Sequence, residues 1–514
     1  MNGAESLLGS LVAGGIEVCF MNPGTTEIHL VEALDRVGGL RDVTCLFEGV
    51  ASGAADGYAR MLGKPACTLF HLGPGLSNAL ANLHNACRAR IPMVNIVGDH
   101  ATFHRPLDPP LAADIEALAR PFSKWLKSAD NAKNLGREGA EAIAAARTAP
   151  GRIATLIVPS DAAWSEGGSV AEAIAPPQPV LPAGSQIENA ARLLRNGQRT
   201  AILLGAHTTQ APALIAAGRI AAATRAKLFA PFAFARIERG TGRVPVERIA
   251  YVTEQAVAQL AEFRQLILVG APEPIAFFGH PARPSRIVPE DCRIFSLAAP
   301  DEDCGGALAA LSDALDARPT APLLQSAAES QPAPRGEFTL NGLAQAIAAT
   351  LPENAIVVDE SITSGRGMMT ATRGAPPHDY LVNTGGSIGL GTPLALGAAI
   401  AAPDRPVLCL EGDGSFMYTL QALWTAARES LAVTTVIFAN RTYQILKGEL
   451  AGLGTNPGPR AAAALDIAPP PIDFVGLSKS LGVPAMRITD LELFVTALRR
   501  GLASREPNLI EVPL

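Results

Sequence analysis

The run Gly412-Asp413-Gly414-Ser415 closes an apolar segment, Val407-Leu408-Cys409-Leu410. About 25 residues later a second apolar segment, Val433 to Ala439, ends in Asn440-Arg441-Thr442-Tyr443. Two strand ends placed in this way can hold one hard cation between them. Asp413 offers a carboxylate, Asn440 an amide oxygen and Thr442 a backbone carbonyl. A small ion such as Mg²⁺ takes oxygen ligands in an octahedron and completes it with phosphate oxygens and water. Gly414 and Ser415 offer backbone N–H groups at the start of an expected helical stretch, Leu420 to Ser430, which suits a phosphate. Gly-Asp-Gly alone is most often a turn. After one buried strand, and with N-x-T-Y after the next, it reads as a Mg²⁺-diphosphate anchor.

A second acid lies far upstream. Glu48, in Leu46-Phe47-Glu48-Gly49-Val50, precedes a small-residue helix containing Ala54-Ala55-Asp56-Gly57-Tyr58-Ala59-Arg60. Taken alone, Glu48 could equally be a charge placed at a helix N-terminus. His71, in His71-Leu72-Gly73-Pro74-Gly75-Leu76-Ser77-Asn78, could equally be a packed, hydrogen-bonded histidine. His100 and His104 flank a loop and read as loop-stabilising or surface residues.

The elements that must position these residues follow from apolar runs. Val18 to Met21, Ala66 to Phe70 and Met93 to Val97 read as strands early in the chain. Ala201 to Leu204, Leu266 to Val269 and Arg293 to Ser296 follow in the middle. Ala355 to Val358, Val407 to Leu410, Thr434 to Ala439 and Leu509 to Val512 come last. Short strands separated by helical patterns imply parallel sheets covered on both faces, with ligands beyond the strands' carboxyl ends. Two Pro/Ala-rich stretches, about 167–185 and 323–336, read as linkers. The fold expected is therefore α/β, with three consecutive parallel-sheet domains at 1–166, 186–322 and 337–514.

At 514 residues and a net charge of −6, without a basic block, the chain gives no sign of a nucleic-acid partner. Its seven cysteines show no C-x-x-C spacing and read as reduced core thiols, and the N-terminus lacks a basic n-region. A cytoplasmic protein is expected. The uncharged span from Tyr380 to Pro403 is long enough for a bilayer, but its glycines and Pro393 favour a buried turn and core helix over membrane insertion.

Together these motifs resemble the thiamine-diphosphate-dependent 2-oxoacid decarboxylase and carboligase family. The likeness is to acetolactate-synthase-like members, with site loops closest to benzoylformate decarboxylase. It runs over nearly the whole chain and is weakest in the middle. The resemblance implies that Glu48 bonds N1′ of the cofactor's aminopyrimidine and so activates N4′ as the base for thiazolium C2. It implies that His71 relays protons and that Thr25, in Asn22-Pro23-Gly24-Thr25-Thr26-Glu27, orients the substrate carboxylate. It places Ser361, Thr363, Gly412, Asp413, Gly414, Ser415, Asn440, Thr442 and Tyr443 around the diphosphate, with Asp413, Asn440 and Thr442 on Mg²⁺. The Gly386 carbonyl would accept from N4′–H, and Ile388, or its neighbour Leu390, would prop the bent cofactor.

The implied reaction opens with a C2 ylide adding to a 2-oxoacid. Loss of CO₂ leaves an enamine. This ends in acetolactate-type carboligation or, alternatively, in release of an aldehyde. A homodimer or homotetramer with sites between subunits is implied. Two departures limit the substrate: no tryptophan follows Asn440 in Tyr443 to Leu450, and the chain has no histidine between His207 and His280. FAD is not expected, because the middle part lacks G-x-G-x-x-G.

Overall fold

The computed structural model describes residues 1–327, 334–454 and 458–514. Among the described residues three sheets organise the chain. The first has six strands in the spatial order Arg41–Thr44, Val18–Asn22, Ala66–Phe70, Met93–Asp99, Ile153–Pro159 and Ser123–Ser128, all parallel. The second, also parallel, runs Glu247–Arg248, Lys227–Ala230, Thr200–Leu204, Gln265–Val269 and Arg293–Ala298. The third runs Ala485–Arg487, Asn508–Pro513, Val433–Ala439, Val407–Gly412, Ile356–Glu360, His378–Val382 and Arg236–Arg239.

That last strand is a departure from three self-contained parallel sheets. Arg236–Arg239 comes from the middle of the chain and pairs antiparallel with His378–Val382. Its sequence, R-I-E-R, carries one apolar residue, Ile237, which is buried in the third sheet's core. Residues 167–183 have no regular structure, and the helix Gly184–Arg195 begins where the first linker was expected to end. Residues 328–333, within the second expected linker, lie outside the described residues.

One core cluster joins the first and third sheets. At its centre the helix Glu48–Leu62 packs on the helix Gly391–Ala401. Small residues make the contact possible: a Cβ at Gly397 would stand 1.8 Å from the Ala54 carbonyl oxygen, and one at Gly57 would stand 2.1 Å from that of Leu394. Any larger side chain at either position would force the helices apart.

Arg60, on the same helix, is fully buried and forks onto Asp56 through two 2.7 Å bonds. It also donates to the carbonyls of Val382 (2.7 Å) and Ala235 (3.0 Å). One buried ion pair thus ties all three parts of the chain. The uncharged span from Tyr380 to Pro403, expected to be a buried turn and helix, takes in the end of the strand His378–Val382, a loop and the helix Gly391–Ala401. Among the described residues no helix is long and apolar enough to cross a membrane.

Candidate active site

The strands Val407–Gly412 and Val433–Ala439 are neighbours, with Gly412 paired to Phe438, so both end at one edge of the third sheet. Asp413 follows directly and is 3% exposed. Its carboxylate accepts from the backbone N–H of Gly414 at 2.9 Å and of Arg441 at 2.5 Å. The second bond crosses from one strand end to the other and draws the Asn440–Thr442 turn in, with Arg441 in the left-handed region at φ 58°. The Thr442 N–H donates to Asn440 Oδ1 at 3.1 Å, and the Thr442 carbonyl accepts from Gln444 N at 2.9 Å, each oxygen keeping a further lone pair.

Burial pushes the Asp413 carboxyl up from its ordinary value, against the pull of these N–H donors. A cation beside it would compensate that penalty. Among the described residues no group of three or more His, Cys, Asp or Glu is placed to hold a metal. A metal here would rest on one carboxylate, one amide and one carbonyl, which is a hard oxygen set of the kind Mg²⁺ takes. A Cβ at Gly414 would meet the Tyr443 ring at 2.7 Å, so only glycine lets the ring and this backbone come so close.

The continuous helical start expected at Gly414 and Ser415 is corrected. These residues belong to a separate turn, Asp413–Phe416, and the longer helix begins only at Ala422. The break is fixed from a distance, because the Thr419 hydroxyl donates to the Gly389 carbonyl at 2.9 Å.

Gly389 belongs to the loop that carries Gly386 and Ile388. Its anchor is Glu360, a buried carboxylate accepting the N–H groups of Gly389, Leu390 and Gly391 at 3.0, 2.9 and 2.9 Å and the Asn383 amide at 2.6 Å. Glu411 is buried beside it and accepts from the Thr392 hydroxyl at 2.7 Å. Burial raises both carboxyls, and the charge of Glu360 raises Glu411 further. Leu390 is fully buried in the core, whereas Ile388 is half-buried and remains available to a ligand. Gly386 is exposed and has φ +81°. Ser361 is buried and donates its hydroxyl to Asp359 at 2.5 Å, so that hydrogen is taken up within its own loop. Thr363 is half-buried.

In the first sheet's region Glu48 opens the helix Glu48–Leu62 and is 6% exposed. Its Oε2 accepts from the Asn78 side chain at 3.0 Å. His71 caps the helix Leu72–Ala89, and its Nδ1 lies 2.8 Å from Oε2 of Glu27. The same Glu27 oxygen accepts from Gly24 N at 2.7 Å, while its other oxygen accepts from the Thr26 hydroxyl at 2.5 Å. Thr26, not Thr25, is the threonine near His71, at 3.4 Å; Thr25 is exposed. His100 is half-buried and His104 exposed, with their rings 5.8 Å apart.

Farther along, the helix Leu72–Ala89 grips the Gly386 loop. Asn82 donates to the carbonyls of Gly49 and Gly389, Asn85 donates to that of Ser387, and His84 Nε2 lies 3.0 Å from the carbonyl of Gly385.

The sequence reading gave no role to Glu27, Asn78 or Glu360. Glu27 and Asn78 stood inside quoted motifs, and acids or amides there were the only available signal. Phe277 was also passed over. It lies in a stretch without regular structure beside a cleft of about 1020 Å³ at the ends of the middle strands.

Comparison with known proteins places these features in context. Residues 1–118 match the model of the thiamine pyrophosphate enzyme N-terminal TPP binding domain, and residues 363–512 match that of the C-terminal TPP binding domain. The chain is 49% identical to "Putative acetolactate synthase large subunit IlvX" of Mycobacterium tuberculosis, covering 100% of this chain and 99% of that protein. It is 28% identical to benzoylformate decarboxylase of Pseudomonas aeruginosa over 97% of this chain and 96% of that one. The structure of a thiamine diphosphate-dependent 4-hydroxybenzoylformate decarboxylase from Rhodococcus jostii RHA1 superposes with a TM-score of 0.85 at 26% identity, covering 100% and 99% of the two chains.

Proposed function

The chain belongs to the thiamine pyrophosphate enzyme family, and we propose that it binds thiamine diphosphate through Mg²⁺ and acts on 2-oxoacids, with acetolactate-type carboligation after decarboxylation as its reaction. The observation that carries this reading is the Asp413–Arg441 bond, which brings a buried carboxylate and the Asn440–Thr442 oxygens to one sheet edge. Asp413, Asn440 and Thr442 would hold the metal, and the N–H groups of Gly414 and Ser415, with Gly412 and Tyr443 beside them, would receive the diphosphate.

When bound, thiamine diphosphate supplies a nucleophilic carbon and an electron sink for bond cleavage beside a carbonyl. The chain's own groups do the rest. Glu48, shielded from water and steadied by Asn78, gives and takes a proton at the aminopyrimidine. His71, held at Nδ1 by Glu27, presents Nε2 for proton transfer to the substrate oxygen. Thr25 meets the substrate carboxylate. Ile388 supports the ring system, and the Gly386 carbonyl accepts from its amino group. Ser361 and Thr363 border the diphosphate.

We further place the working site between the first part of one subunit and the third part of another. Exposed apolar side chains flank both halves: Ile28 and Leu46 by the Glu27–Glu48 side, Ile362 and Tyr418 by the Asp413 side. A homodimer would cover them, and a homotetramer would pair two such units.

A second reading, simple decarboxylation to an aldehyde, is favoured by the full-length likeness to benzoylformate decarboxylases. The test is calorimetric titration of thiamine diphosphate with and without Mg²⁺ into the protein and into Asp413→Ala, followed by product analysis on a panel of 2-oxoacids. Mg²⁺-dependent uptake lost in the variant supports the site, and equal affinity in both rejects it. A hydroxyketone product identifies carboligation; an aldehyde identifies the second reading.

A further inference from the structure

The loop between the strand His378–Val382 and the helix Gly391–Ala401 carries Gly386, and it begins with Asn383. The Oδ1 of Asn383 accepts from the N–H groups of Gly385 at 3.1 Å and of Gly386 at 2.8 Å. Its Nδ2 donates to the Ser387 carbonyl and to Oε1 of Glu360, each at 2.6 Å. Two lone pairs and two N–H groups are all that a side-chain amide has, so its capacity is filled. The partners also fix which way round the amide stands. Two N–H donors require its oxygen, and a carboxylate and a carbonyl require its nitrogen.

Asn383 therefore brackets Gly386, holding its N–H on one side and the next residue's carbonyl on the other. Between these points lies the Gly386–Ser387 peptide, whose N–H donates to Oδ1 of Asn85 at 3.2 Å. A trans peptide is planar, with its carbonyl oxygen opposite its N–H. The Gly386 carbonyl is thus directed away from Asn85. Gly386 is exposed at φ +81°, and glycine enters other backbone wells readily, so this direction depends on the partners. Glu360, 2% exposed, holds Asn383 through Oε1 while its Oε2 accepts from Gly389, Leu390 and Gly391. One buried carboxylate joins the start of the loop to its end.

We propose that Asn383 is a positioning residue for cofactor recognition: it fixes the direction of the Gly386 carbonyl, and Glu360 acts through it. This rests on the reading of that carbonyl as the acceptor for the aminopyrimidine's amino group. The polar atoms of Asn383 are engaged by the loop and by Glu360, so the carbonyl it aims is what meets the cofactor.

The experiment is calorimetry with Mg²⁺ present. Thiamine diphosphate, and its analogue with hydrogen in place of the 4′-amino group, are titrated into wild type, Asn383→Ala, Glu360→Gln and the pair Glu360→Gln/Asn383→Asp. Wild type should favour the amino compound at least about tenfold, the scale of one well-placed hydrogen bond. In Asn383→Ala that preference should fall to within about threefold, while affinity for the analogue changes less than about threefold. Glu360→Gln keeps an oxygen for the three backbone N–H groups but turns a donor toward the donor of Asn383, so the preference should fall there too. In the pair a donor again faces an acceptor, and the preference should return to at least about fivefold. Should Asn383→Ala not fold, Glu360→Gln and the pair decide.

Both affinities falling together in Asn383→Ala would make Asn383 a general support of the loop and overturn the proposal, as would an unchanged preference there. A wild-type preference in Glu360→Gln, or a pair no better than Glu360→Gln, overturns the part given to Glu360. Wild type that binds both compounds equally rejects the reading of the Gly386 carbonyl, and wild type that takes up neither rejects the cofactor reading; the proposal falls with either.

Discussion

Nδ1 of His71 lies 2.8 Å from Oε2 of Glu27, a carboxylate with no solvent exposure. The bond makes Nδ1 the donor and leaves Nε2 as the ring atom free to face a ligand. Glu27 reaches no reacting atom in the proposed mechanism; it is a positioning residue.

Glu27→Ala should lower kcat about 10- to 100-fold while leaving thiamine diphosphate affinity unchanged. The double variant Glu27→Ala/His71→Ala should be scarcely worse than His71→Ala, since residues acting as one unit are not additive. Steady-state kinetics on the three variants checks this, and additive losses would separate the two residues.

Glu48→Gln should lose at least about 100-fold in turnover, the scale of positioned proton transfer. The glutamine oxygen can still accept from Asn78, so thermal stability and cofactor affinity should be kept. A rate near wild type would remove Glu48 from proton transfer.

Arg60→Ala should destabilise the fold by about 3–5 kcal/mol, because it leaves the fully buried Asp56 carboxylate uncompensated and frees the carbonyls of Ala235 and Val382. Asp56→Asn in the same chain should recover part of that loss. Denaturant midpoints of the single and double variants measure both effects.

Acid should weaken the protein through His378. Burial, aided by the Arg239 guanidinium, lowers its pKa to about 4 from an ordinary 6.5. The folded state then holds the ring neutral, so the unfolded chain binds the extra proton between those values. Stability is full above about pH 6.5 and falls as pH drops toward 4, by at most about 3 kcal/mol. Urea midpoints across that window should fall less steeply in His378→Phe.

Much of this architecture can be read before any coordinates are seen, for a physical reason. Strands buried on both faces must be apolar throughout, so Val407 to Leu410 or Ala66 to Phe70 announce themselves. Their neighbours in sequence then announce the strand ends, where Asp413 and Asn440 lie; before Glu48 no apolar strand stands, since Leu46 and Phe47 are outside the polar strand Arg41–Thr44. What stays hidden is set by partners distant in the chain. The break after Phe416 depends on Gly389, and the role of Glu27 depends on a histidine 44 positions away. Phe277 lies in no periodic pattern. Arg236–Arg239, nearly all polar, gives no strand signal, because its pairing partner lies more than a hundred residues downstream.

The antiparallel ribbon formed by Arg236–Arg239 and His378–Val382 also limits how this enzyme can be rebuilt. A chimera that exchanged the central third for that of another protein would strip the neighbouring sheet of its outermost strand, baring a row of unpaired backbone groups. Modular shuffling at the expected linkers would succeed only if the incoming piece brought its own matching edge.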